Sequence, residues 1–284
     1  MRKHFLNILT VLIILAGIAL MFYPFFSEWY SNVHHAKVIK TYNQKVESKT
    51  EKELDAERKK AEEYNRNLLG KVILTDPFDP KNKIEDTGDY SSILNVDGNG
   101  MMGDIRIPSI DVNLPIYHGT TSDILAKGVG HLEYTSFPVG GKSTHTVLSA
   151  HTGIPSAELF TNLDKVKIGD IFYLDVLDKT LAYKVDQIKV VLPTDTSDLR
   201  IVRNKDYATL VTCTPYGINS HRLLVRGIRT KYVKAKDKDT SYNLVNSLRL
   251  RLLIICIVSL FLVILILYLL YRRRKKKEDN QNHN

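Results

Sequence analysis

Two uncharged apolar runs, residues 5–26 (FLNILTVLIILAGIALMFYPFF) and 252–271 (LLIICIVSLFLVILILYLLY), confine whatever can fold in water to the stretch between them. At about 1.5 Å per residue, each run in helical form covers the roughly 30 Å of a hydrocarbon core. A small-x-small triplet, Gly17-Ile18-Ala19, sits inside the first run rather than after it, and Trp29-Tyr30 beyond the run form the kind of aromatic pair that marks a membrane interface. The first run is therefore expected to be a retained anchor rather than a cleaved signal peptide.

The formal net charge of +9 raises the question of a nucleic-acid partner. Its location argues against one. Arg2 and Lys3 at one end, and Arg249, Arg251 and the run RRRKKK at 272–277 at the other, carry nearly all of the excess. Basic residues flanking a span stay on the cytoplasmic side. Residues 1–4 and the basic tail 272–284 are thus expected inside, with a two-pass chain embedded in the cell membrane and its central part on the extracellular face.

Between the runs the texture changes three times. Residues 27–70 are rich in Lys, Glu, Gln and Ala with scattered apolar positions, which predicts a helical stalk of two successive helices lying over the domain rather than inside its core. Residues 71–100 are broken by DPFDP, DTGD and DGNG and read as an irregular loop, a length that is often functional when ordered. From 101 to about 235, seven or eight short β-type runs alternate with Gly, Pro, Asp and Asn, a pattern that suggests a closed barrel without exposed edges. PSAELFTNLDKV, from Pro155, reads as the one helical insert, and 236–251 as a linker.

Of the two cysteines, Cys256 lies in the second apolar run and leaves Cys213 without a partner in its own domain. An unpaired thiol in an oxidising compartment is either buried and inert or reactive. Cys213 ends the apolar run YATLVT, where a strand leaves the core and can offer a side chain to solvent. The next strand begins SHRLLVRG, so a hairpin of this loop length returns Arg222 beside Cys213, with Arg226 further along as the alternative. A guanidinium there would lower the thiol pKa and could hold an oxyanion. For a proton shuttle the central segment offers His118, His131, His145, His151 and His221. His151 follows THTVLSA at a strand end, as Cys213 does, whereas His145 starts the same run roughly 20 Å away. His221 alternates to the face opposite Arg222, and the pattern leaves His118 and His131 open. No zinc motif, glycine-rich phosphate loop or serine elbow is present, so no metal and no cofactor is expected.

Taken in order, DIRIPSIDVNLPIYHG, TSFPVGGKSTHTVLSAHTGIPSAELFTNLDKVKIGD and TLVTCTPYGINSHRLLVRG resemble the sortase family, membrane-bound cysteine transpeptidases of Gram-positive bacteria. The two apolar runs and basic tail are similar to class C, the pilin-polymerising branch. That resemblance implies a mainly β fold: an eight-stranded sortase-type barrel with N-terminal helices, a lid loop and two transmembrane helices. It implies Cys213 as nucleophile, His151 as general acid and base, Arg222 as stabiliser of substrate and oxyanion, and Asp76-Pro77-Phe78 as the lid. The implied reaction cleaves an LPxTG-like sorting signal between Thr and Gly and passes the thioacyl group to a pilin lysine. Pilin subunits and other LPxTG-like surface proteins are the implied partners. Ala150 departs from the glycine expected in many relatives. The alternatives are a housekeeping sortase that anchors proteins to the cell wall, a surface cysteine peptidase with water as acceptor, and a tethered binding module in which Cys213 is dispensable.

Overall fold

The computed structural model describes residues 2–68, 75–79, 89–154 and 157–233, with six further positions between 254 and 268; the side chains of several of the first 25 residues and of Asp89 are outside that set. The chain divides into two compact units, Met1–Tyr232 and Val233–Asn284. The first holds every element named here: helices α1 (Arg2–Glu47), α2 (Glu51–Asn67), α3 (Asp89–Ser92) and α4 (Ser122–Lys127), and strands β1 (Met101–Ile107), β2 (Val112–His118), β3 (Val129–His131), β4 (Thr144–Ser149), β5 (Ile171–Val176), β6 (Lys179–Val191), β7 (Asp206–Thr214) and β8 (His221–Thr230).

The strands close a barrel in the order β1-β2-β3-β4-β7-β8-β6-β5, as the spacing of the β runs suggests. Alternation along each strand sends Ile105, Ile116, Leu148, Phe172, Leu174, Leu210 and Val225 into one buried core. Phe172 and Tyr183 stack there at 5.6 Å between ring centroids. Gly227 makes room for the pair, since a Cβ at that position would lie 2.6 Å from the Phe172 ring. Most neighbours are antiparallel, but β4 and β7 run parallel, joined through the chain that forms β5 and β6.

The helices before the barrel belong to its core, which corrects the expectation of a stalk lying over the domain. Ile39, Tyr42 and Val46 of α1 and Leu54 and Ala61 of α2 are buried with the barrel residues. The Tyr42 hydroxyl donates to the Met102 carbonyl at 2.9 Å and accepts from the Leu177 N–H at 3.4 Å. Asn65 staples α2 to the segment before β4, donating to the Phe137 carbonyl at 3.2 Å and accepting its N–H at 2.7 Å. A narrow apolar stripe among charges suffices because these few side chains join the barrel's buried cluster. The break between α1 and α2 is a capping box, Thr50 with Glu53.

Two further expectations change. The 71–100 segment carries the short helix α3, and where it is described before that it makes a turn at 77–78. The helix expected from Pro155 is replaced by turns and a single 3-10 turn, Leu163–Lys165; Leu159 sits at φ 40°, which no right-handed helix interior admits. Leu159, Phe160 and Leu163 are buried one by one rather than as a helical face.

Among the described residues no helix is long and apolar enough to cross a membrane, so the two expected transmembrane helices gain no support. The run 5–26 lies within α1, which continues into charged sequence and whose side chains there are described only in part. The run 252–271, the linker and the basic tail lie almost wholly outside the described residues.

Burial sets the response to pH. It is the main cause that holds the His35, His131 and His145 imidazoles below the ordinary 6.5, at about 4, 3 and 4. The unfolded chain protonates each as pH falls through about 6.5, while the folded chain resists until those lower values. Stability from these three is complete above pH 6.5 and is lost on acidification. Asp104 opposes them: burial, reinforced by the Asp175 charge, lifts its carboxyl to about 8, so its contribution declines as pH rises from about 4 to that value. His118 and His151 are lowered along with these three and Asp206 is raised along with Asp104, so depressed histidines outnumber raised carboxyls and unfolding takes up protons between roughly pH 5 and 6. Denaturant titrations of the solubilised protein should therefore show stability falling on acidification across that interval, and a flat or rising profile would contradict this assignment.

Candidate active site

β4, β7 and β8 are neighbours in the barrel, and their ends assemble the site. In the parallel β4–β7 pair Leu148 sits against Leu210 and Ser149 against Val211. Side chains repeat every second residue along a strand, so two residues further on His151 and Cys213 emerge side by side on one face. The junction is tied by the Ala150 N–H donating to the Val211 carbonyl at 3.2 Å and the Thr212 hydroxyl donating to the Ala150 carbonyl at 2.8 Å. Across the antiparallel β7–β8 pair, Cys213 stands opposite Arg222, as the hairpin length predicts.

Over these three lies the segment 75–79. Arg222 grips Asp76 with both arms of its fork, Nε donating to Oδ1 at 2.8 Å and Nη2 to Oδ2 at 2.6 Å, with the two side chains only 11% and 15% exposed. The free Nη1 hydrogens donate to the carbonyls of Asn219 and His221, both at 3.0 Å. The Phe78 N–H donates back to Asp76 Oδ1 at 3.3 Å, which folds the buried Pro77 into a tight turn. That turn places the Phe78 ring between the other groups: the Arg222 guanidinium carbon lies 5.1 Å from its centroid and the His151 ring 5.7 Å away. Phe78 also packs against a second apolar cluster, outside the barrel core, made by Leu132, Val147, Val191, Leu199, Val211 and Leu224.

Burial and nearby charge set the protonation states. Burial pushes the Cys213 thiol above its ordinary value; Arg222 counteracts this in part, while the Asp76 charge adds to it. Burial likewise pushes His151 below the ordinary imidazole value. Near neutral pH the pair is thus a thiol and a neutral imidazole, with the Arg222 guanidinium beside them already paired to a carboxylate. A thiol is a poor nucleophile compared with its thiolate.

The remaining sequence candidates are engaged elsewhere. Arg226 pairs through both arms with Asp186, at 3.0 and 2.9 Å, and lies over Tyr207. His145 donates from Nδ1 to the Arg200 carbonyl at 2.9 Å and accepts from the Thr209 hydroxyl at 2.7 Å. His131 is wholly buried, donating from Nε2 to the Ser136 carbonyl at 2.9 Å and accepting from the Tyr90 hydroxyl at 2.8 Å. His118 has its two ring nitrogens 2.8 and 2.7 Å from the carbonyl oxygens of Gly100 and Ile93. His221 meets the Ser220 hydroxyl at 2.9 Å. The structure therefore brings together Cys213, His151, Arg222 and the Asp76-Pro77-Phe78 turn, and sets the others apart. Sequence reasoning missed the second apolar cluster, whose signal is the alternation of Val147 with His151 and of Val211 with Cys213.

Comparison with known proteins gives concordant matches. The family described as the sortase domain matches residues 105–230. Sortase A of Streptococcus agalactiae serotype III (strain NEM316) is 32% identical over 118 residues, which are 40% of this chain and 47% of that protein. Sortase A of Listeria monocytogenes is 32% identical over 152 residues, 52% of this chain and 65% of that protein. The chain thus matches about half to two thirds of the length of these curated relatives. Among solved structures, sortase C of Streptococcus pneumoniae is 48% identical with a TM-score of 0.64, covering 70% of this chain and 99% of that one. Sortase C1 of the GBS pilus island 1 is 42% identical with a TM-score of 0.64, over 73% and 98%. Sortase C-1 of Actinomyces oris is 49% identical with a TM-score of 0.59, over 63% and 99%.

If the turn at 76–78 holds the thiol covered and protonated, Asp76→Ala combined with Phe78→Ala removes an anion and a hydrophobic cover at once. Alkylation of Cys213 by a small reagent should then be faster, and its half-maximal rate should move to lower pH. An unchanged rate and pH profile would show that the turn does not control the thiol.

Proposed function

The chain belongs to the sortase family, and from that premise we propose that it is a class C cysteine transpeptidase that joins pilin subunits. What supports this most directly is the convergence of Cys213, His151 and Arg222 on three adjacent strand ends beneath an Asp76-Phe78 cover. The pneumococcal neighbour is described in terms of pilin substrate specificity and another belongs to a pilus island, which supports pilins as partners here.

In this reading the cycle starts when the 75–79 segment withdraws from Arg222. The Cys213 thiol gives its proton to the His151 imidazole, and the sulfur attacks the carbonyl carbon of the Thr–Gly bond in an LPxTG-like sorting signal. The guanidinium of Arg222, freed from Asp76, holds the carbonyl oxygen as negative charge develops on it. As the C–N bond breaks, His151 returns the proton to the departing glycine amine and leaves a thioester on Cys213. A pilin lysine amine then attacks the thioester, loses its proton to His151 and displaces the sulfur, which takes that proton back. The isopeptide bond forms with no external energy source, because the thioester retains the energy of the cleaved amide.

The apolar runs 5–26 and 252–271 and the terminal basic residues support a two-pass membrane anchor with the barrel on the extracellular face. Such a placement keeps the site beside its membrane-delivered substrates.

Incubating the solubilised protein with an LPxTG-containing peptide should yield a covalent adduct at Cys213 by mass spectrometry. Adding a lysine-bearing pilin should convert that adduct to an amide-linked product, and Cys213→Ala should lower turnover by about a thousandfold or more. Hydrolysis that ignores the added amine would instead identify a peptidase.

A further inference from the structure

Four buried side-chain atoms have no hydrogen-bond partner among the described residues: His35 Nδ1, Asn113 Oδ1, Arg229 Nη1 and Ser149 Oγ. The first three belong to α1, to β2 and to the far end of β8. Ser149 differs in its place. It is the last residue of β4, fully buried, and its register partner on β7 is Val211. Val147, two residues before it, and Val211 both belong to the second apolar cluster against which Phe78 packs. Strand alternation therefore puts the Ser149 hydroxyl on the same face as those valines and as His151 and Cys213.

A hydroxyl buried among apolar groups without a partner is destabilising, and alanine at the same position would avoid that cost. The fold does not demand an oxygen there, because the strand is held to β3 and β7 by backbone pairing, with Ser149 in register with Gly130 and Val211. An occupant with polar groups of its own accounts for it. An extended peptide lying along this face after Phe78 has left would bring main-chain N–H and C=O groups over the apolar cluster. The valine and leucine walls supply no partner for those groups; Ser149 does.

We propose that Ser149 positions the peptide substrate, its hydroxyl donating a hydrogen bond to a main-chain carbonyl of the sorting signal. Ser149 precedes His151 by two residues, or about 6.6 Å of strand, so the carbonyl it meets belongs to a residue roughly two positions from the scissile bond. The contact is with main chain and so is independent of the side chain at that position. It rests on the peptide-acylation reading of the site, and the bound state would satisfy a hydroxyl that has no partner among the described residues.

The test uses the full-length protein in detergent, with a fluorogenic LPxTG peptide as the probe. Ser149→Ala should raise KM about 3- to 10-fold with kcat within about twofold, the size expected for loss of one neutral hydrogen bond. Ser149→Thr, which keeps the hydroxyl, should retain the KM of the unaltered protein. In the same Ser149→Ala protein the thermal midpoint should be equal or higher, and alkylation of Cys213 by a small reagent should be unchanged. A merely structural serine would instead lower the midpoint along with activity, and that result overturns the proposal, as does an unchanged KM. If the unaltered protein forms no adduct with any sorting peptide, the acylation reading fails and takes this one with it. Turnover by the unaltered protein with an unchanged KM in Ser149→Ala removes the Ser149 role alone.

Discussion

The parallel pairing of β4 with β7 is the constraint from which the site follows. Leu148 and Leu210 face the barrel core, so the next residues of each strand, Ser149 and Val211, must face outward. A slip of one residue in this register would send every side chain of one strand to the other face and separate His151 from Cys213. Here the core specifies the site: apolar contacts that know nothing of chemistry place an imidazole and a thiol on neighbouring strand ends. The hairpin between β7 and β8 then adds Arg222 as a local consequence of loop length.

Electrostatics over that frame sets the resting state. Arg222 is the one guanidinium beside the thiol among the described residues, and Asp76 occupies its fork as a substrate oxyanion would need to. A bidentate, largely buried pair of this kind is stronger than a surface ion pair. While it holds, the thiol feels a carboxylate as well as a guanidinium, and burial decides the balance toward the neutral form. Chemistry and covering are thus coupled through one residue.

Much of this could be read in the amino-acid order. The barrel announced itself through short β runs, and Cys213, Arg222 and His151 through their positions at strand ends. What could not be read depended on contacts distant in sequence. Tyr42 looked like one apolar residue on a polar stalk, yet its hydroxyl bridges Met102 and Leu177 in the barrel wall. Leu159, Phe160 and Leu163 have helical spacing, but each finds its own niche around a left-handed turn. Likewise His118 and His131 could be set aside only once Gly100, Ile93, Ser136 and Tyr90 were seen around them. The second apolar cluster gathers residues from β4, β6, β7 and β8 with Leu132 and Leu199, and no local window contains it.

In the proposed cycle Asp76 and the substrate compete for Arg222. Calorimetric binding of an LPxTG peptide to Cys213→Ala, with and without Asp76→Asn, addresses it without any turnover. Binding should be about tenfold tighter once the Asp76 charge is removed, because the peptide no longer has to displace a paired carboxylate. Equal affinities in the two proteins would contradict it.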